Sequence, residues 1–271
     1  MPEVPWLPRR SADKDYLKHF WEDKMIDYLL TDEQKMIRDL CRQITEEKII
    51  PVAAELDKTE EFPWEVMKVI ARSDLFGLYI EEKYGGMGGG VLDLCIATEE
   101  FSKGCGGIAV CYAASALGTY PIILYGSDEQ KNKYLPQIAK GAKLAAFGLT
   151  EPAAGSDASA IQTTAKKSGD HYILNGTKHF ITNGGDAEIY TIIAMTDKTK
   201  GARGASAFIV EKGTPGFTFG KKEDKMGIRA SSTRELIFTD CKIPKENLLG
   251  KEGMGFIVTM KTFDMSRPGV A

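Results

Sequence analysis

The stretch FGLTEPAAGSD, residues 147–157, divides the chain into two parts of different periodicity. Before it, apolar residues recur at helical spacing, and after it short alternating runs are separated by turn residues such as Ser168-Gly169-Asp170. The stretch itself combines hydroxyls, small residues, two acids and a proline, which neither a helix nor a strand explains. The pattern predicts an α+β protein in which a helical part precedes a β-rich part.

The composition of the chain excludes several classes of protein. Its 271 residues are 43% hydrophobic and 27% charged, with a formal net charge of −3, so there is no basic excess to indicate a nucleic-acid partner. Five cysteines without a CxxC pair suit buried thiols in a reducing compartment. No apolar run approaches the roughly 18 residues of a membrane span, and no secretory signal pattern is present. We therefore expect a cytoplasmic protein without a membrane span.

The helical part is predicted from capping boxes and apolar spacing. Residues 1–26 are predicted to be an N-terminal extension, and the helical domain is expected to cover 27–145. Pro51 is expected to interrupt or kink the first helix. The segment 107–125 is apolar on all sides, which is typical of a buried central helix. The helices are predicted to begin at Thr31, after Phe62-Pro63, at 91, at 107 and at Ser127.

The β-rich domain is predicted to cover 146–251. Asn175-Gly176 is a strong hairpin signal, because both residues tolerate a positive φ. After Gly250 the pattern becomes helical again, and it stays so over 252–271. The expected strands are 171–174, 177–182, 188–195, 205–211, 216–220 and 233–240.

Two familiar kinds of site are not supported by the sequence. GCGGIA, residues 104–109, formally matches the glycine fingerprint of dinucleotide-binding folds, but here it joins two predicted helices instead of following a strand. The histidines His19, His171 and His179 occur without a GxSxG, an HExxH or a paired-histidine spacing. We therefore expect neither a nucleophilic triad nor a metal site.

Two short stretches could bind a flat aromatic ligand. In the first, Thr150 supplies a hydroxyl, and Gly155 and Ser156 permit a close backbone approach to a phosphate or an amide. The alternative is an ordinary Asx/Ser turn at a domain boundary. In the second, KHFITNGGDAEIY at 178–190, Phe180 and Thr182 stand at a spacing of two residues, although an ordinary hairpin strand would also fit.

From about residue 27 to the end, the chain resembles the acyl-CoA dehydrogenase family. TEPxAGSD and ITNGG are specific signatures of that family, and further elements occur in the family order. These elements are YLLTDEQKMIRDLCRQ, EEKYGGMG, YGSDEQKNKYLPQIAKG, FGLTEPAAGSD, LNGTKHFITNGG, FIVEKGTPGF, KMGIRASSTRELIFTDCKIPKENLLG and GMGFIVTMKTFDMSRP. The resemblance implies an N-terminal helical domain, a β-barrel-like middle domain and, at 252–271, the first helix of a C-terminal bundle that is otherwise missing.

The resemblance also implies FAD as cofactor and assigns roles to residues. The acyl tail would be lined by Val110, Ala113 and Leu117. Asp264 and Arg267 would meet the CoA portion, and Ser156 would lie in the ligand cleft near the flavin phosphate or the CoA arm. The residues that would face the flavin are Phe147, Leu149, Thr150, Phe180 and Thr182.

No catalytic base is assigned in this chain. In the family the base is usually a glutamate on the C-terminal bundle, and in some relatives it stands one residue before the arginine that corresponds to Arg267. Here that residue is Ser266, which cannot act as a carboxylate base. The base, the subunit contacts and the residues that cover the last helix are therefore expected outside the sequence. Without them, that helix is expected to expose Phe256, Ile257, Met260 and Phe263.

Three functions remain open from the sequence. The resemblance implies FAD-dependent oxidation of an acyl-CoA thioester to the trans-2-enoyl-CoA, with electrons passed to an electron-transfer flavoprotein by a homo-oligomeric enzyme. The missing base favours a second function, a truncated, non-catalytic subunit for binding or assembly. A flavin monooxygenase of similar fold is the weakest of the three.

Overall fold

The computed structural model describes residues 29–271. The predicted extension over 1–26, including His19, lies outside the described residues. The N-terminal half is helical, and its helices are α1 (Asp32–Ile44), α2 (Ile50–Thr59), α3 (Trp64–Arg72), α4 (Val91–Gly104), α5 (Gly106–Tyr125) and α6 (Asp128–Ala139).

The predicted helix starts are confirmed by their capping contacts. The Thr31 hydroxyl accepts a hydrogen bond from the Gln34 backbone N–H at 3.2 Å, and Ser127 does the same for Gln130 at 3.2 Å. In both boxes the glutamine side chain accepts in return from the backbone N–H of the capping residue. These contacts satisfy N–H groups that a helix start otherwise leaves unpaired.

The first helical run is interrupted shortly before Pro51. A single π-helical turn, Thr45–Ile49, separates α1 from α2. Pro51 then falls in the first turn of α2, where a missing N–H removes no helical hydrogen bond. The interruption predicted from Pro51 is thus confirmed, but the break occurs before the proline.

Helix α5 is the centre of the helical domain. Its length and apolar composition would allow it to cross a membrane, yet 78% of its most apolar 18-residue stretch is buried inside the protein. Gly118 allows it to approach the sheet, since a Cβ at this position would lie 2.5 Å from the Ala146 backbone nitrogen. This close approach fixes the contact between the helical domain and the first strand.

The second half forms one eight-stranded sheet. The strands are β1 (Ala145–Gly148), β2 (Thr164–Ser168), β3 (His171–Thr182), β4 (Ile189–Met195), β5 (Ala205–Glu211), β6 (Phe217–Lys222), β7 (Thr233–Pro244) and β8 (Leu248–Leu249). Neighbouring strands follow the order β6-β7-β3-β2-β4-β5-β8, and β1 pairs in parallel with β4 outside this order. The middle domain is therefore mostly β, as the resemblance implies.

The hairpin predicted at Asn175-Gly176 is wrong. Strand β3 runs through both residues, and its pairing with β7 shifts register between Leu174 and Gly176. Gly176 has a φ of 144°, and a Cβ there would lie 2.5 Å from the Thr163 hydroxyl oxygen. The Asn175 side chain binds Asp240 across the sheet, with its amide oxygen 2.8 Å from the Asp240 backbone nitrogen. The tolerance of Gly176 for a positive φ thus permits an irregularity within a strand and not a hairpin turn.

The last helix, α7 (Gly255–Val270), is not left unpacked as the sequence suggested. Phe256, Met260 and Phe263 are half-buried, and only Ile257, at 53%, stays well exposed. The buried face consists largely of small residues, so that the helix backbone lies close to α4, α5 and β5. These residues are Gly255, Val258, Thr259, Thr262, Ser266 and Gly269.

Candidate functional site

The two stretches singled out in the sequence meet in the structure. The backbone N–H of His179 donates to the carbonyl oxygen of Thr150 at 2.8 Å, which joins the segment after β1 directly to β3. Phe147 and Leu149 are buried beneath this junction, and Thr150 is half-buried at the surface. Residues 147–151 and 178–183 together are called the candidate wall below.

The end of β3 is irregular, and this irregularity exposes an aromatic ring. The register of β3 on β7 shifts between Lys178 and Ile181. Phe180 lies within this shift with a φ of 58°, in the left-handed region that only a few non-glycine residues adopt. Its ring is 60% exposed and stacks on His179, with 4.0 Å between the ring centroids. An exposed apolar ring held by an unfavourable backbone conformation is typical of a binding surface.

The candidate wall also carries polar groups that are free to bind a ligand. Within the described residues, the hydroxyls of Thr150 and Thr182 form no hydrogen bond with the protein, and both residues are half-buried. Gly155 and Ser156 are exposed in the following loop, and a Cβ at Gly155 would meet only open space. Free hydroxyls beside an exposed aromatic ring suit the carbonyl and nitrogen edges of a flat heterocycle such as a flavin.

A buried ion pair lies directly behind the candidate wall. The Lys178 ammonium is 2.7 Å from Glu151 Oε1 and donates to the Leu149 carbonyl oxygen at 3.0 Å. The side chains of Lys178 and Glu151 are 0% and 4% exposed. Glu151 also accepts hydrogen bonds from the backbone N–H groups of Gln162 and Thr163, at 2.5 and 3.0 Å. Every strong polar group of the pair therefore has a partner.

The environment of the pair shifts the pKa of both groups. Burial lowers the pKa of the Lys178 ammonium to about 8, and the negative charge of Glu151 opposes that shift. Burial alone would raise the pKa of the Glu151 carboxyl. The positive charge of Lys178 and the hydrogen bonds from Lys178, Thr163 and Gln162 outweigh burial, so this pKa lies below its ordinary value. Near neutral pH both groups are thus ionised.

Asn183 fixes the other end of the candidate wall. Its side-chain amide donates to the carbonyl oxygens of Cys111, on α5, at 2.9 Å and of Ala145, at the start of β1, at 3.4 Å. Asn183 is fully buried and has a φ of 62°, a conformation that asparagine tolerates better than most residues. It therefore holds the turn after Thr182 against both domains.

The residues predicted to line an acyl tail are brought together only in part. Val110 and Ala113 line a cavity of about 450 Å³ between α4, α5 and α7. Cys95 and Thr98 from α4 and Gly269 from α7 form other parts of its lining. Leu117, two turns after Val110 on α5, is not among the lining residues.

The predicted CoA-binding residues lie on the outer face of α7. Arg267 is exposed, and its guanidinium stands over the Phe263 ring at 4.1 Å. Phe263 in turn contacts Phe147 of the candidate wall edge-on, with 6.0 Å between centroids. Asp264 is 65% exposed and pairs with Lys261 at 3.2 Å. Arg267 therefore reaches the candidate wall through one aromatic side chain, whereas Asp264 points to solvent.

Ser266, at the alternative base position, faces the interior. It is 3% exposed, and its hydroxyl has no hydrogen-bond partner in the described part of the chain. It offers neither a carboxylate nor access to solvent, so it has no means of removing a weakly acidic proton.

Three residues of this site were missed by the sequence analysis. Lys178, Glu151 and Asn183 lie within the quoted motifs but were not assigned a role. The one available signal was Lys178 itself, a charged residue at an inward-facing position of an otherwise alternating strand. A charge at such a position is expected only with a buried partner.

The comparisons with known proteins agree with the fold of the chain. Residues 31–142 match the model of the acyl-CoA dehydrogenase N-terminal domain, and residues 146–241 match that of its middle domain. The chain is 51% identical over 247 residues to the short-chain specific acyl-CoA dehydrogenase of Clostridium acetobutylicum, covering 91% of this chain and 65% of that protein. The chain thus spans just under two thirds of the length of this relative.

Two solved structures have similar folds. A chain from the structure of an electron transferring flavoprotein of Acidaminococcus fermentans superposes with a TM-score of 0.87 at 51% identity, covering 89% of this chain and 63% of that one. An acyl-CoA dehydrogenase complexed with FAD from Bacillus anthracis superposes with a TM-score of 0.83 at 37% identity, covering 92% of this chain and 44% of that one. Both similarities extend across the helical and the β-rich parts.

Proposed function

Because the chain belongs to the acyl-CoA dehydrogenase family, we propose that it forms the flavin- and acyl-binding part of an FAD-dependent dehydrogenase. The reaction is the oxidation of a short acyl-CoA thioester to the trans-2-enoyl-CoA. The observation that carries this proposal is the junction of Thr150 with His179, which unites the two motifs in one surface with free hydroxyls and an exposed aromatic ring.

The donor set of the candidate wall fits FAD. Thr150 and Thr182 would hydrogen-bond the polar edge of the isoalloxazine ring, and the exposed Phe180 would contact one of its apolar faces. Phe147 and Leu149 are 8% and 7% exposed, so they would contact the ring only through the small part of their surface that stays open. Ser156 would lie near the flavin phosphate or the CoA arm. When bound, FAD supplies the acceptor for the hydride that leaves the substrate. The chain's own residues hold the ring in register and exclude water from one face.

The acyl group is assigned to the cavity between α4, α5 and α7. Its lining by Val110 and Ala113, together with its volume of about 450 Å³, suits a short acyl tail, and the Clostridium relative is a short-chain specific acyl-CoA dehydrogenase. Arg267, with Asp264 beside it, would bind the CoA portion at the outer face of α7. Leu117 is proposed to act at the end of the tail, although it lies outside the cavity lining.

The proposed electron acceptor is an electron-transfer flavoprotein, and the similarity to a chain in the structure of the Acidaminococcus electron transferring flavoprotein supports this choice. We further propose a homo-oligomer that works in the cytoplasm. The proton from the α-carbon requires a carboxylate base, and no residue of this chain is assigned that role.

A second function is favoured by one observation, the buried hydroxyl of Ser266 at the alternative base position. A chain without a base could bind flavin and acyl-CoA without turnover, as a subunit for binding or assembly. Both functions predict a flavin-containing protein, but only the first predicts flavin reduction by substrate.

The distinguishing experiment is an anaerobic titration of the purified, flavin-loaded natural protein with butyryl-CoA. The dehydrogenase predicts loss of the oxidised-flavin absorbance and appearance of enoyl-CoA. Binding of butyryl-CoA with an unchanged flavin spectrum would favour the non-catalytic subunit. A protein that binds no FAD under any condition would contradict both functions.

A further inference from the structure

The buried ion pair of Glu151 and Lys178 has no part in the proposed contacts with the flavin or with the acyl-CoA. Glu151 follows Thr150 directly, and Lys178 precedes His179, whose N–H binds the Thr150 carbonyl. The side chains of Lys178 and Glu151 are 0% and 4% exposed, and they hydrogen-bond to each other and to backbone groups of the protein. We propose that the Glu151–Lys178 pair is a positioning device, which fixes the place of Thr150 for the flavin without contacting the flavin. This inference rests on the proposed function.

The contacts of the pair converge on one residue. Lys178 binds the carbonyl of Leu149 at 3.0 Å and the carboxylate of Glu151 at 2.7 Å, so it holds the residues on both sides of Thr150. Thr150 itself is held through its carbonyl by the N–H of His179 at 2.8 Å. The hydroxyl is the one side-chain polar group at Thr150, and it remains free for a ligand.

The Glu151 carboxylate also binds a second segment of the chain, at residues 162–163. Glu151 accepts from the backbone N–H groups of Gln162 and Thr163. The loop between these segments, residues 152–161, is exposed at most positions. Its own contacts are local: a backbone bridge between Glu151 and Ala154, and a short 3-10 turn at Ala158–Ala160 that the Asp157 side chain caps. Neither of these contacts joins the loop to β3. The pair therefore joins the two ends of the loop to β3.

A role in overall stability alone is a poor explanation for such a pair. Removing two charges from water is costly, and an ion pair in the interior seldom stabilises a protein more than well-packed apolar side chains do. What a fully hydrogen-bonded pair supplies is a defined geometry, because any displacement leaves a charge without its partner. The position of this pair, one residue from a hydroxyl that faces the candidate ligand, indicates where that geometry is used.

The test removes both charges at once, so that no unpaired charge is buried. The variant is Glu151→Gln with Lys178→Met, prepared in the natural full-length protein and compared with wild type. The matched control is Asp170→Asn with Lys245→Met, an exposed pair of similar length, 2.6 Å, in the same domain. Three quantities are measured: the thermal midpoint of the apoprotein, FAD affinity from quenching of flavin fluorescence, and amide exchange of residues 149–163.

The positioning role predicts a specific combination of results. The double variant keeps a cooperative thermal transition, its amides at 149–163 exchange at least about 10-fold faster in the apoprotein, and its FAD affinity falls by about 10-fold or more, since a misplaced hydroxyl loses its hydrogen bond. The control variant is unchanged in all three. Either wild-type exchange rates or wild-type FAD affinity in the double variant would overturn the inference.

Failure of the inference and failure of the proposed function are distinguishable. If wild type binds no FAD, the proposed function is wrong, and the apoprotein exchange rates still decide whether the pair orders the loop. If wild type binds FAD and the double variant binds it equally with an identical visible spectrum, the function stands and the positioning role is wrong.

Discussion

Two charged networks connect distant segments of this chain, and they differ in their access to water. The buried pair, Glu151 with Lys178, has side-chain exposures of 4% and 0%. The second, here called the Arg229 network, consists of Arg229, Asp57, Glu60 and Asp224 and joins the loop between β6 and β7 to the end of α2. Arg229 is 28% exposed, so water can replace part of what it loses when a contact breaks.

The Arg229 network has more contacts than the buried pair. The Arg229 backbone N–H donates to Asp57 Oδ1 at 3.1 Å, and its side chain reaches the Asp57 carbonyl at 3.1 Å and Asp224 at 2.9 Å. Arg229 also pairs with Glu60, which caps the C-terminal end of α2 in the left-handed backbone conformation. We therefore expect burial, and not the number of contacts, to determine how much free energy of unfolding is lost when one partner of a network is removed.

The largest effect is expected from removing one member of the buried pair. Lys178→Met leaves the Glu151 carboxylate buried without its cation, so we expect a loss of about 3–5 kcal/mol in the free energy of unfolding. Urea denaturation measures this loss. The double variant with Glu151→Gln should recover most of it, and a single variant as stable as wild type would remove the contrast between the two networks.

The next effect is expected at Asn183. Asn183→Ala leaves the carbonyls of Cys111 and Ala145 without their amide donor and places alanine at a φ of 62°, at a cost of about 2–4 kcal/mol. Asn183→Gly removes the same hydrogen bonds, but glycine adopts a φ of 62° without a steric cost. Urea denaturation of both variants separates the two causes, and equal losses would show that backbone conformation plays no part.

A smaller effect is expected in the Arg229 network. Arg229→Ala should cost about 1–2 kcal/mol, because solvent partly replaces the lost hydrogen bonds. Arg229→Lys should keep some of the charge interaction but lose the fork geometry. Raised salt should weaken the wild-type contribution of this network more than that of the buried pair. A loss for Arg229→Ala as large as that for Lys178→Met would contradict the comparison.

The pH dependence of stability sharpens the comparison further. Since the pKa of Lys178 is lowered to about 8 from 10.5, the unfolded chain binds more protons than the folded one between these values. The contribution of Lys178 to stability therefore rises with pH in this window, by at most about 1.4 kcal/mol per pH unit. Urea denaturation of wild type and Lys178→Met across pH 8–10.5 should show the steeper rise in wild type, and parallel curves would contradict this pKa.

Local signals in the sequence predicted most of the fold. The capping boxes at Thr31 and Ser127 and the uniformly apolar segment 107–125 depend on neighbours within one helix, and all three were read correctly. The Asn175-Gly176 pair failed because a preference for positive φ does not distinguish a turn from an irregular strand. The helix at the end of the chain was misjudged because its buried face is built from small residues, which carry little hydrophobic signal.

The candidate site was less accessible to sequence reasoning. The motif residues Thr150 and Thr182 were proposed from their chemistry and from the resemblance, and their role stays a prediction. The partnership of Glu151 with Lys178 was not predicted, because 27 residues separate them and no local spacing relates a loop to a later strand. The left-handed φ of Phe180 was equally hidden, since phenylalanine carries no preference for that conformation.

The central claim is that residues 147–151 and 178–183 form one wall for an isoalloxazine ring. An experimental structure of the natural protein with FAD bound tests it most directly. We expect hydrogen bonds of about 3 Å from Thr150 and Thr182 to the ring, with Lys178 and Glu151 still paired behind Thr150. A ring bound elsewhere, or packed side chains closing the space between the two threonines, would contradict it.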